Sequence, residues 1–566
     1  MSDSITKIDW SSKKRQDYIQ HLKSEKFDFV IIGGGITGAG IAREAALRGL
    51  TVALIDMEDF AFGTSSRSSK LAHGGFRYLS QGEFKLVRES TTERNWLRTD
   101  FSHNCRPLKM FMLGDKKTGI SPIEVKIGIS LYDFLSNFGS KYKQFDKHRF
   151  YSKEKAALIQ PKMRMDNLKM LGEFYDTNID DARLTLETIK EAVFLGGTIA
   201  VNYCKAEEFE HENGKITALK VYDILGDEHF TIKGKHFVNA TGIWTDDLLP
   251  SGHRRVIRPT KGVHVTVPVG RVGNIDGLGV KSIDDGRVFF ILNREDITLI
   301  GTTDTDYKDK RNGLPNEDFA SPYCTKEDCD YLFHTVNYLF PEANLTYDDI
   351  ISTYAGIRPL VMEEGKSESE VSRKHVIFDT DGGLTTICGG KLTTYRKMAE
   401  DLLYHVLQQD LDLKSRIPKK MKKKNYSRRP FLIKLTKADW DEFLSKTATT
   451  LPAKILDHLF IQYGKGAQEI VITVQKSPQK GEPFLNGHPF IPAEIEYILA
   501  HENVIHLMDV LRRRTEIFMK VKYTRQEEIA GKIADIMGRI LNWDESQKAE
   551  EIGHYMDYIK NTIWNW

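Results

Sequence analysis

A glycine-rich stretch near the start of the chain limits its fold more than any other feature. Residues 27–56 read FDFVIIGGGITGAGIAREAALRGLTVALID. An apolar run is followed by three spaced glycines, an amphipathic segment, and a second apolar run that ends in an acid. This order predicts a buried strand, a tight turn, a helix and a second strand parallel to the first. The chain therefore contains at least one Rossmann-like α/β domain.

The spacing within this stretch indicates a dinucleotide site. Gly33 is expected to make the turn, Gly35 to let the backbone approach a pyrophosphate, and Gly38 to let the helix pack on the strand. Asp56 follows Gly38 by 56 − 38 = 18 residues, close to the spacing of about 20 typical of an acid that binds a ribose hydroxyl. An acid suits an unphosphorylated ribose, so FAD or NAD is favoured over NADP.

Composition excludes several classes of protein. The 566 residues suggest three or four domains of about 150 residues each. The 81 Lys and Arg nearly balance the 79 Asp and Glu, so no global field recruits nucleic acid. The five cysteines are few and lack paired spacing, which favours free thiols in a reducing compartment over a metal site.

No apolar run reaches the ~18 residues of a membrane span, and the charged N-terminus has no signal-peptide core. A cytoplasmic protein is expected.

The segment after the second strand separates FAD from NAD. Residues 64–79 read TSSRSSKLAHGGFRYL, whereas an NAD-binding chain would normally continue into its next crossover. Small hydroxyl residues and glycines let a backbone lie against a flat ligand. Lys70, His73 and Arg77 add charge beside it. This segment is predicted to wrap a flavin.

Two later strands also end in small residues. KHFVNATGIW predicts a strand that leaves through Thr241 and Gly242, and GLTTICGGKLTTYRKMAE predicts a strand, a turn at Gly389 and Gly390, and a long helix. The amides that begin this helix would face the crevice. If a flavin ring lies there, the positive helix end stabilises the charge that develops on reduction.

Nine segments in this order resemble the family of FAD-dependent glycerol-3-phosphate dehydrogenases. They are GGGITGAGIA, GTSSRSSKLAHGGFRYL, TDDARLTLE, VNATGIWTDDL, TKGVHVTV, IGTTDTDY, YAGIRPL, SRKHVI and GGKLTTYRKMAE. The resemblance covers about residues 27–400 and resumes more weakly at 497–518. One departure is Ile243, where the family often has proline. The resemblance implies FAD as the cofactor, glycerol 3-phosphate as the substrate and no metal.

The resemblance also assigns residues to the site. Arg77, Tyr78, Arg358, Arg373 and Lys391 would bind the substrate, whose phosphate suits planar arginine forks. The proline after Arg358 is expected to aim its guanidinium from a stiff, extended turn. The predicted cofactor-binding residues are Gly33, Gly35, Gly38, Asp56, Thr64, Ser65, Ser66, Lys70, Leu71, His73, Gly74, Thr241, Gly242, Gly389, Gly390, Lys391, Leu392 and Thr393.

Oxidation of a secondary alcohol requires loss of a hydride and of a hydroxyl proton. Histidine has a pKa suited to take that proton. His73, in LAHGG, and His264, in KGVHVTV, lie in suitable motifs, and the sequence does not decide between them. These two histidines and Arg358 are the predicted catalytic residues.

The predicted architecture is α/β (α+β): a Rossmann-like FAD-binding domain, an antiparallel-sheet substrate cap of the amino-acid-oxidase type, and a helical C-terminal domain. The predicted boundaries are 1–26 for an N-terminal extension, 27–100, 170–250 and 350–405 for the FAD domain, 101–169 and 251–349 for the cap, 414–430 for a basic linker, and 431–566 for the helical domain.

The electron acceptor stays open in the sequence. The resemblance implies a membrane quinone, and a peripheral position on the inner face of the cell membrane would let the basic segment (residues 414–430) contact anionic lipid. A homodimer is included among the expected partners. Two alternatives are an oxidase that passes electrons to oxygen and a flavin-binding sensor without activity. The sequence has no obvious oxidase-type insertion and retains the cations and both histidines.

Overall fold

Strands of two sheets form the centre of the protein. The structure is a computed structural model that describes residues 10–143, 146–307, 317–362 and 374–563. In chain order the strands are β1 (Lys26–Ile32), β2 (Val52–Ile55), β3 (Leu71–Ala72), β4 (Arg106–Gly114), β5 (Arg149–Ser152), β6 (Met170–Asn178), β7 (Thr198–Val201), β8 (Cys204–Glu212), β9 (Lys215–Asp223), β10 (Glu228–Asn239), β11 (Ile257–Pro268), β12 (Gly277–Lys281), β13 (Val288–Arg294), β14 (Ile297–Gly301), β15 (Thr305–Asp306), β16 (Ser352–Val361), β17 (His375–Asp379) and β18 (Leu384–Gly389).

Helices cover the first sheet and make up the C-terminal region. They are α1 (Arg15–Ser24), α2 (Ile36–Ala46), α3 (Phe84–Asp100), α4 (Pro122–Asn137), α5 (Lys153–Ile159), α6 (Asp181–Phe194), α7 (Val269–Val272), α8 (Glu317–Ala320), α9 (Lys326–Leu339), α10 (Tyr395–Gln409), α11 (Leu411–Arg416), α12 (Lys437–Lys446), α13 (Ala453–Tyr463), α14 (Gly466–Lys476), α15 (Pro492–His501), α16 (Leu507–Asp509), α17 (Ile517–Lys520), α18 (Gln526–Leu541) and α19 (Glu545–Ile563). None of these helices in the described residues is long and apolar enough to cross a bilayer.

The first sheet has the predicted parallel core. Its strand order is β17-β18-β10-β1-β2-β7, with β8 and β9 forming an antiparallel extension of β10. β1 pairs in parallel with both β2 and β10, and β10 pairs in parallel with β18. Phe29 and Ile31 pack in one apolar cluster with α2 and α10, whereas Val30 and Ile32 pack in another with the β8–β10 extension. Burial on both faces explains why β1 reads as a continuous apolar run.

The second sheet is the expected cap, and its strands are mostly antiparallel. Its order is β15-β11-β14-β13-β12-β4-β6-β3, with β16 on β11 and β5 on β6. Three strands differ from the predicted boundaries. β3, β6 and β16 were expected in the FAD domain, but β3 pairs with β6, β6 pairs with β4 and β16 pairs with β11. Their sequences show apolar strands next to cofactor motifs, and local pattern does not reveal which sheet such a strand joins.

The N-terminal extension packs on the first sheet over its described part. Trp10 is fully buried, and its indole donates a hydrogen bond to the carbonyl of Ala200 at 3.1 Å. Ile19 and Leu22, on α1, are also fully buried. The extension is therefore part of the sheet's apolar layer.

The basic segment also packs on the protein. Ile417 is buried, Arg416 donates to Asp28 at 2.9 Å, and Arg428 donates to Glu93 at 2.7 Å. A basic linker was expected, and this packing could not be predicted from the sequence, because composition shows the lysines but not these distant carboxylates. Several of its side chains remain exposed, namely Lys414, Lys419, Lys420, Lys423 and Lys424.

Candidate active site

The carboxyl ends of four parallel strands meet at one large cavity. β1, β2, β10 and β18 end beside it, and side chains of the second sheet close its opposite wall. Its volume is about 1210 Å³. Parallel sheets bind ligands at this edge, outside the ends of their strands.

The glycine turn after β1 has the geometry that its sequence predicts. Gly33 has φ +109°, and a Cβ there would lie 2.5 Å from the carbonyl oxygen of Ala240. A Cβ at Gly38 would lie 1.9 Å from the oxygen of Gly33, so Gly38 permits helix α2 to pack on the turn. Gly38 does not line the cavity, whereas Gly33 and Gly35 do. The first amide of α2, that of Ile36, donates to the Ser65 hydroxyl at 2.9 Å.

Asp56 follows β2 directly and lines the cavity. Its carboxylate accepts hydrogen bonds from the amides of Gly34 at 2.6 Å and Glu58 at 3.0 Å. Burial raises the pKa of Asp56 to about 7 despite these two bonds. A carboxylate held beside a glycine turn and a helix N-terminus fits the ribose and pyrophosphate of a dinucleotide.

Some residues of the predicted flavin loop line the cavity, and others lie away from it. Thr64, Ser65, Leu71 and His73 line the cavity. Three other residues expected to bind the cofactor do not line it, namely Ser66, Lys70 and Gly74.

Distant partners explain why two of these residues, Lys70 and Gly74, point elsewhere. Lys70 is buried and forms an ion pair with Asp181, and its ammonium also donates to the Ser66 carbonyl at 3.1 Å. The amide of Gly74 donates to the Tyr132 hydroxyl at 2.8 Å. The loop is folded around these buried groups, and its sequence gives no sign of them.

The same loop contributes cavity residues that were not predicted. Arg67, Ser68 and Ser69 all line the cavity. The Arg67 guanidinium lies 5.1 Å from the centroid of the Phe62 ring and donates to the carbonyl of Ala320 at 2.8 Å. Burial lowers the pKa of Arg67 to about 10. The alternation of serines with basic residues was the available signal for a polar wall.

Two other strand exits reach the cavity as predicted. Thr241 and Gly242 follow β10, and Gly389 and Gly390 end β18 with φ of +74° and +86°. The next residues lining the cavity are Lys391, Leu392 and Thr393. A single 3₁₀ turn, Leu392–Thr394, precedes α10, so the helix starts slightly later than its sequence suggests.

Arg77, Tyr78 and Lys391 form a cationic group around one aromatic ring. The Lys391 ammonium lies 3.8 Å from the centroid of the Tyr78 ring, and the Arg77 guanidinium lies 5.2 Å from it. Arg77 also donates to the Tyr78 hydroxyl at 3.3 Å. All three residues line the cavity. The Tyr78 ring contacts both cations and so holds them close together. Their two positive charges would attract a dianion.

Arg358 lines the same cavity from the second sheet. It lies inside β16, so a strand and not a turn aims its side chain. Its guanidinium donates to the Asp304 carboxylate at 2.9 Å, to the Thr302 hydroxyl at 2.9 Å and to the Thr303 carbonyl at 3.2 Å. Arg373 lies outside the described residues.

His264 is the more enclosed of the two candidate bases. It is 2% exposed, and its Nε2 lies 2.9 Å from the Ser69 hydroxyl. Its ring is stacked on Tyr354, with centroids 4.8 Å apart and 17° between the planes. Burial, together with the charges of Arg358 and Lys70, holds the pKa of His264 well below its ordinary value. The imidazole is therefore neutral at neutral pH.

His73 lies in the same cavity with a looser environment. Its ring meets that of Phe290 edge to face at 6.2 Å, and its carbonyl accepts a hydrogen bond from the Thr393 hydroxyl at 3.2 Å. The structure thus brings both predicted histidines to one cavity. They come from different strands of the second sheet, His73 after β3 and His264 in β11.

Comparison with known proteins extends over nearly the whole chain. The profile of the FAD dependent oxidoreductase family matches residues 28–396, and that of the C-terminal domain of alpha-glycerophosphate oxidase matches residues 419–548. The aerobic glycerol-3-phosphate dehydrogenase of Bacillus subtilis is 36% identical over 553 residues, which cover 95% of this chain and 96% of that protein. The Staphylococcus aureus enzyme of the same name is 41% identical over 397 residues, 69% of each chain.

Solved structures show the same fold. The glycerol-3-phosphate dehydrogenase from Bacillus halodurans, solved in complex with FAD, has a TM-score of 0.77 at 30% identity and covers 98% of each chain. An L-alpha-glycerophosphate oxidase from Mycoplasma pneumoniae has a TM-score of 0.52 at 16% identity, covering 67% of this chain and 94% of that one. The second comparison concerns the fold alone.

Proposed function

Because the chain belongs to the FAD-dependent oxidoreductase family that includes the aerobic glycerol-3-phosphate dehydrogenases, we propose that it oxidises sn-glycerol 3-phosphate to dihydroxyacetone phosphate. The electrons would then pass to a membrane quinone. One observation carries the proposal: Arg77, Lys391, Arg358 and a neutral histidine line the same cavity as the dinucleotide turn.

FAD fits the residues present. The turn at Gly33 and Gly35, the start of α2 and the carboxylate of Asp56 would hold its pyrophosphate and ribose. The residues after β10 and β18 would lie along the ring system. FAD supplies the acceptor for the hydride that leaves C2 of the substrate.

The cationic group would bind the substrate phosphate. A phosphate monoester carries almost two negative charges at neutral pH, and Arg77 and Lys391 stand together on the Tyr78 ring. Arg358 adds a planar fork from β16 of the second sheet, and its side chain is hydrogen-bonded to Asp304. Several fixed positive charges in one cavity would orient the glycerol C2.

His264 is the base that we assign to the hydroxyl proton. It is neutral, so it can accept a proton, and its Nε2 faces the hydroxyl of Ser69. A bound phosphate dianion would offset the repulsion from Arg358 and raise the basicity of the imidazole when substrate is present. The proton would move to Nε2 directly or through the Ser69 hydroxyl.

A lipid-soluble acceptor is supported by an apolar face at the mouth of the cavity. Ile123, Ile127 and Phe134 are exposed on α4, and Phe138 follows at its end. Ile127 is 62% exposed and also lines the cavity, as does the half-exposed Phe84. Four large apolar side chains on one helix face are unusual for a surface in water. They would suit the interface of a bilayer from which a quinone enters.

Steady-state kinetics test the activity and the acceptor together. The FAD-loaded protein should form dihydroxyacetone phosphate from sn-glycerol 3-phosphate and a soluble quinone, and should turn over sn-glycerol 1-phosphate and glycerol far more slowly. Lack of product would contradict the activity. Fast oxygen uptake with stoichiometric hydrogen peroxide, and slow reduction of quinone, would instead assign the oxidase reaction.

A further inference from the structure

Three consecutive arginines form a turn in the C-terminal domain that reaches the wall of the flavin cavity. They belong to a π-helical turn, Val510–Arg514, which follows α16. Arg512, Arg513 and Arg514 are buried. None of the three lines the cavity, so any effect on the reaction must pass through other residues.

Arg513 and Arg514 both bind Asp59. Asp59 is fully buried, and the Arg514 guanidinium engages both of its oxygens, with a distance of 2.8 Å to Oδ1. Arg513 donates to the other oxygen and to Asp509 at 2.7 Å. Burial alone would raise the pKa of Asp59, but the two arginines lower it, so the carboxylate is charged.

Asp59 belongs to the loop that carries the predicted ribose-binding acid. This loop runs from Asp56 to Phe62, both of which line the cavity. The Phe62 amide donates to the Asp59 carbonyl at 3.1 Å, and the Ala61 amide donates to the Gly34 carbonyl at 3.1 Å. The position of Asp59 is therefore coupled through the backbone to the positions of the glycine turn and of Asp56.

Arg512 reaches the opposite wall. Its guanidinium lies 5.5 Å from the centroid of the Tyr354 ring, whose partner in stacking is His264. Arg512 also donates to the Tyr558 hydroxyl, on α19, at 3.0 Å. Tyr354 thus has an arginine of the C-terminal domain on its ring and a candidate catalytic histidine stacked against it.

We propose that the arginine turn positions residues that line the flavin cavity. Arg513 and Arg514 hold the cofactor loop through Asp59. Arg512 holds Tyr354 against His264. The C-terminal domain is then required for tight binding of FAD and for orientation of the base. All three arginines are positioning residues. The first half of the proposal concerns FAD binding alone and does not depend on the substrate.

The first experiment measures the dissociation constant of FAD by titrating apoprotein and following quenching of flavin fluorescence. The double variant Asp59→Asn/Arg514→Gln removes both charges, so neither is left buried alone. We expect its dissociation constant to rise at least about tenfold, equivalent to about 1.4 kcal/mol. Arg514→Lys keeps the charge but not the planar guanidinium, so it should give an intermediate dissociation constant. This variant provides the test if the double variant does not fold.

A matched control uses another buried ion pair between the C-terminal region and the rest of the protein. Arg294 on β13 donates to Glu516 at 2.6 Å and ties the C-terminal region to the second sheet. Neither residue lines the cavity. Arg294→Gln/Glu516→Gln should keep FAD affinity within about threefold of wild type. An equal loss of affinity in control and test variants, or no loss in either, would overturn this half of the proposal.

The second experiment addresses Arg512 and depends on the proposed function. Arg512→Met keeps a flexible, unbranched apolar stem and removes the charged guanidinium. We expect FAD affinity within about threefold of wild type, kcat for glycerol 3-phosphate lowered about tenfold, and partial recovery in Arg512→Lys. An unchanged kcat, or a fall fully explained by lost FAD, would overturn this half. A wild-type protein without glycerol 3-phosphate activity would instead refute the proposed function and leave the FAD measurement valid.

Discussion

The Lys391 ammonium lies 3.8 Å from the centroid of the Tyr78 ring, inside the cavity that the dinucleotide turn borders. Lysine and arginine thus share one aromatic support, although 313 residues (391 − 78) separate Lys391 from the ring in the sequence. The pair combines a motif after the flavin loop with a motif before α10. It is the most direct structural reason to place an anionic substrate here.

Substitution of Tyr78 should weaken substrate binding. Tyr78→Leu removes the ring that holds both cations, and a cation–π contact contributes about 0.5–2 kcal/mol. We expect KM for glycerol 3-phosphate to rise about two- to thirtyfold. Tyr78→Phe keeps the ring and loses the bond to Arg77, so its effect should be smaller. Steady-state kinetics with a check of FAD content measure this, and an equal effect of the two substitutions would argue against support by the ring.

Arg358→Ala should lower kcat/KM for glycerol 3-phosphate about ten- to hundredfold for each lost bond to phosphate. Charge-assisted bonds contribute about 1.5–3 kcal/mol each, and about 1.4 kcal/mol is a factor of ten. Arg358→Lys should recover part of the loss, since it keeps the charge but not the fork. Turnover of glycerol, which lacks the phosphate, should fall little.

Two controls make the Arg358 experiment specific. Flavin content should stay normal, because the arginine is assigned to the substrate. Asp304→Asn, which removes the charge of the Asp304 carboxylate, should have a milder effect than Arg358→Ala. An alanine variant with wild-type kcat/KM would remove Arg358 from the site, and one that has lost its FAD would assign it to the cofactor.

The affinity for FAD should depend on pH through Asp56. Burial raises the pKa of this carboxyl to about 7, and a ribose hydroxyl donates to the ionised form. Below pH 7 FAD must displace a proton, so its dissociation constant should rise by up to about tenfold per pH unit as the pH falls. Asp56→Asn should remove this dependence. Fluorescence titrations between pH 5.5 and 8.5 measure it, and identical slopes in both proteins would exclude Asp56.

The raised pKa of Asp56 also predicts how the stability of the apoprotein depends on pH. The native carboxyl keeps its proton up to a higher pH than the ordinary value of 3.8, so the folded state binds more protons than the unfolded state between the two values. The contribution of Asp56 to stability therefore decreases as the pH rises from 3.8 toward 7. Urea denaturation of apoprotein and of Asp56→Asn at several pH values should show this loss in the first protein only.

Membrane binding should depend on the apolar face of α4. Ile127→Asp/Phe134→Asp places charges on that face, and we expect most binding to anionic vesicles to be lost in a flotation assay. Ile472→Asp, an exposed apolar position on α14, should bind as wild type. Lys419→Glu/Lys420→Glu/Lys423→Glu tests the basic segment separately. Full binding by the α4 variant, with loss in the basic-segment variant, would contradict the assignment of α4.

The sequence predicts what local geometry dictates. The turn at Gly33, the packing of Gly38 and the position of Asp56 follow from residues within one βαβ unit, where a side chain at either glycine would strike the backbone. The three strand exits follow for the same reason. Each is a short pattern whose backbone conformation is set locally, although the Cβ that Gly33 lacks would strike Ala240 on the distant strand β10.

Contacts between distant segments could not be predicted in this way. Lys70 was expected at the cofactor, but it pairs with Asp181, 111 residues further along the chain. A stiff turn was expected to aim Arg358, but the residue lies inside β16 and its guanidinium donates to Asp304. The contacts of the arginine turn could not be predicted either, because Asp59 lies about 455 residues away from it in the sequence. Charge in a sequence shows that a partner is needed, and only the fold shows which one.

Anaerobic titration of the purified protein measures directly whether the substrate reduces the flavin. We predict that sn-glycerol 3-phosphate bleaches the yellow flavin band completely, with one dihydroxyacetone phosphate formed per FAD, and that the flavin of His264→Asn bleaches far more slowly at the same FAD content. Glycerol at equal concentration should leave the band almost unchanged. A flavin band that dithionite bleaches but glycerol 3-phosphate does not would contradict the proposed activity.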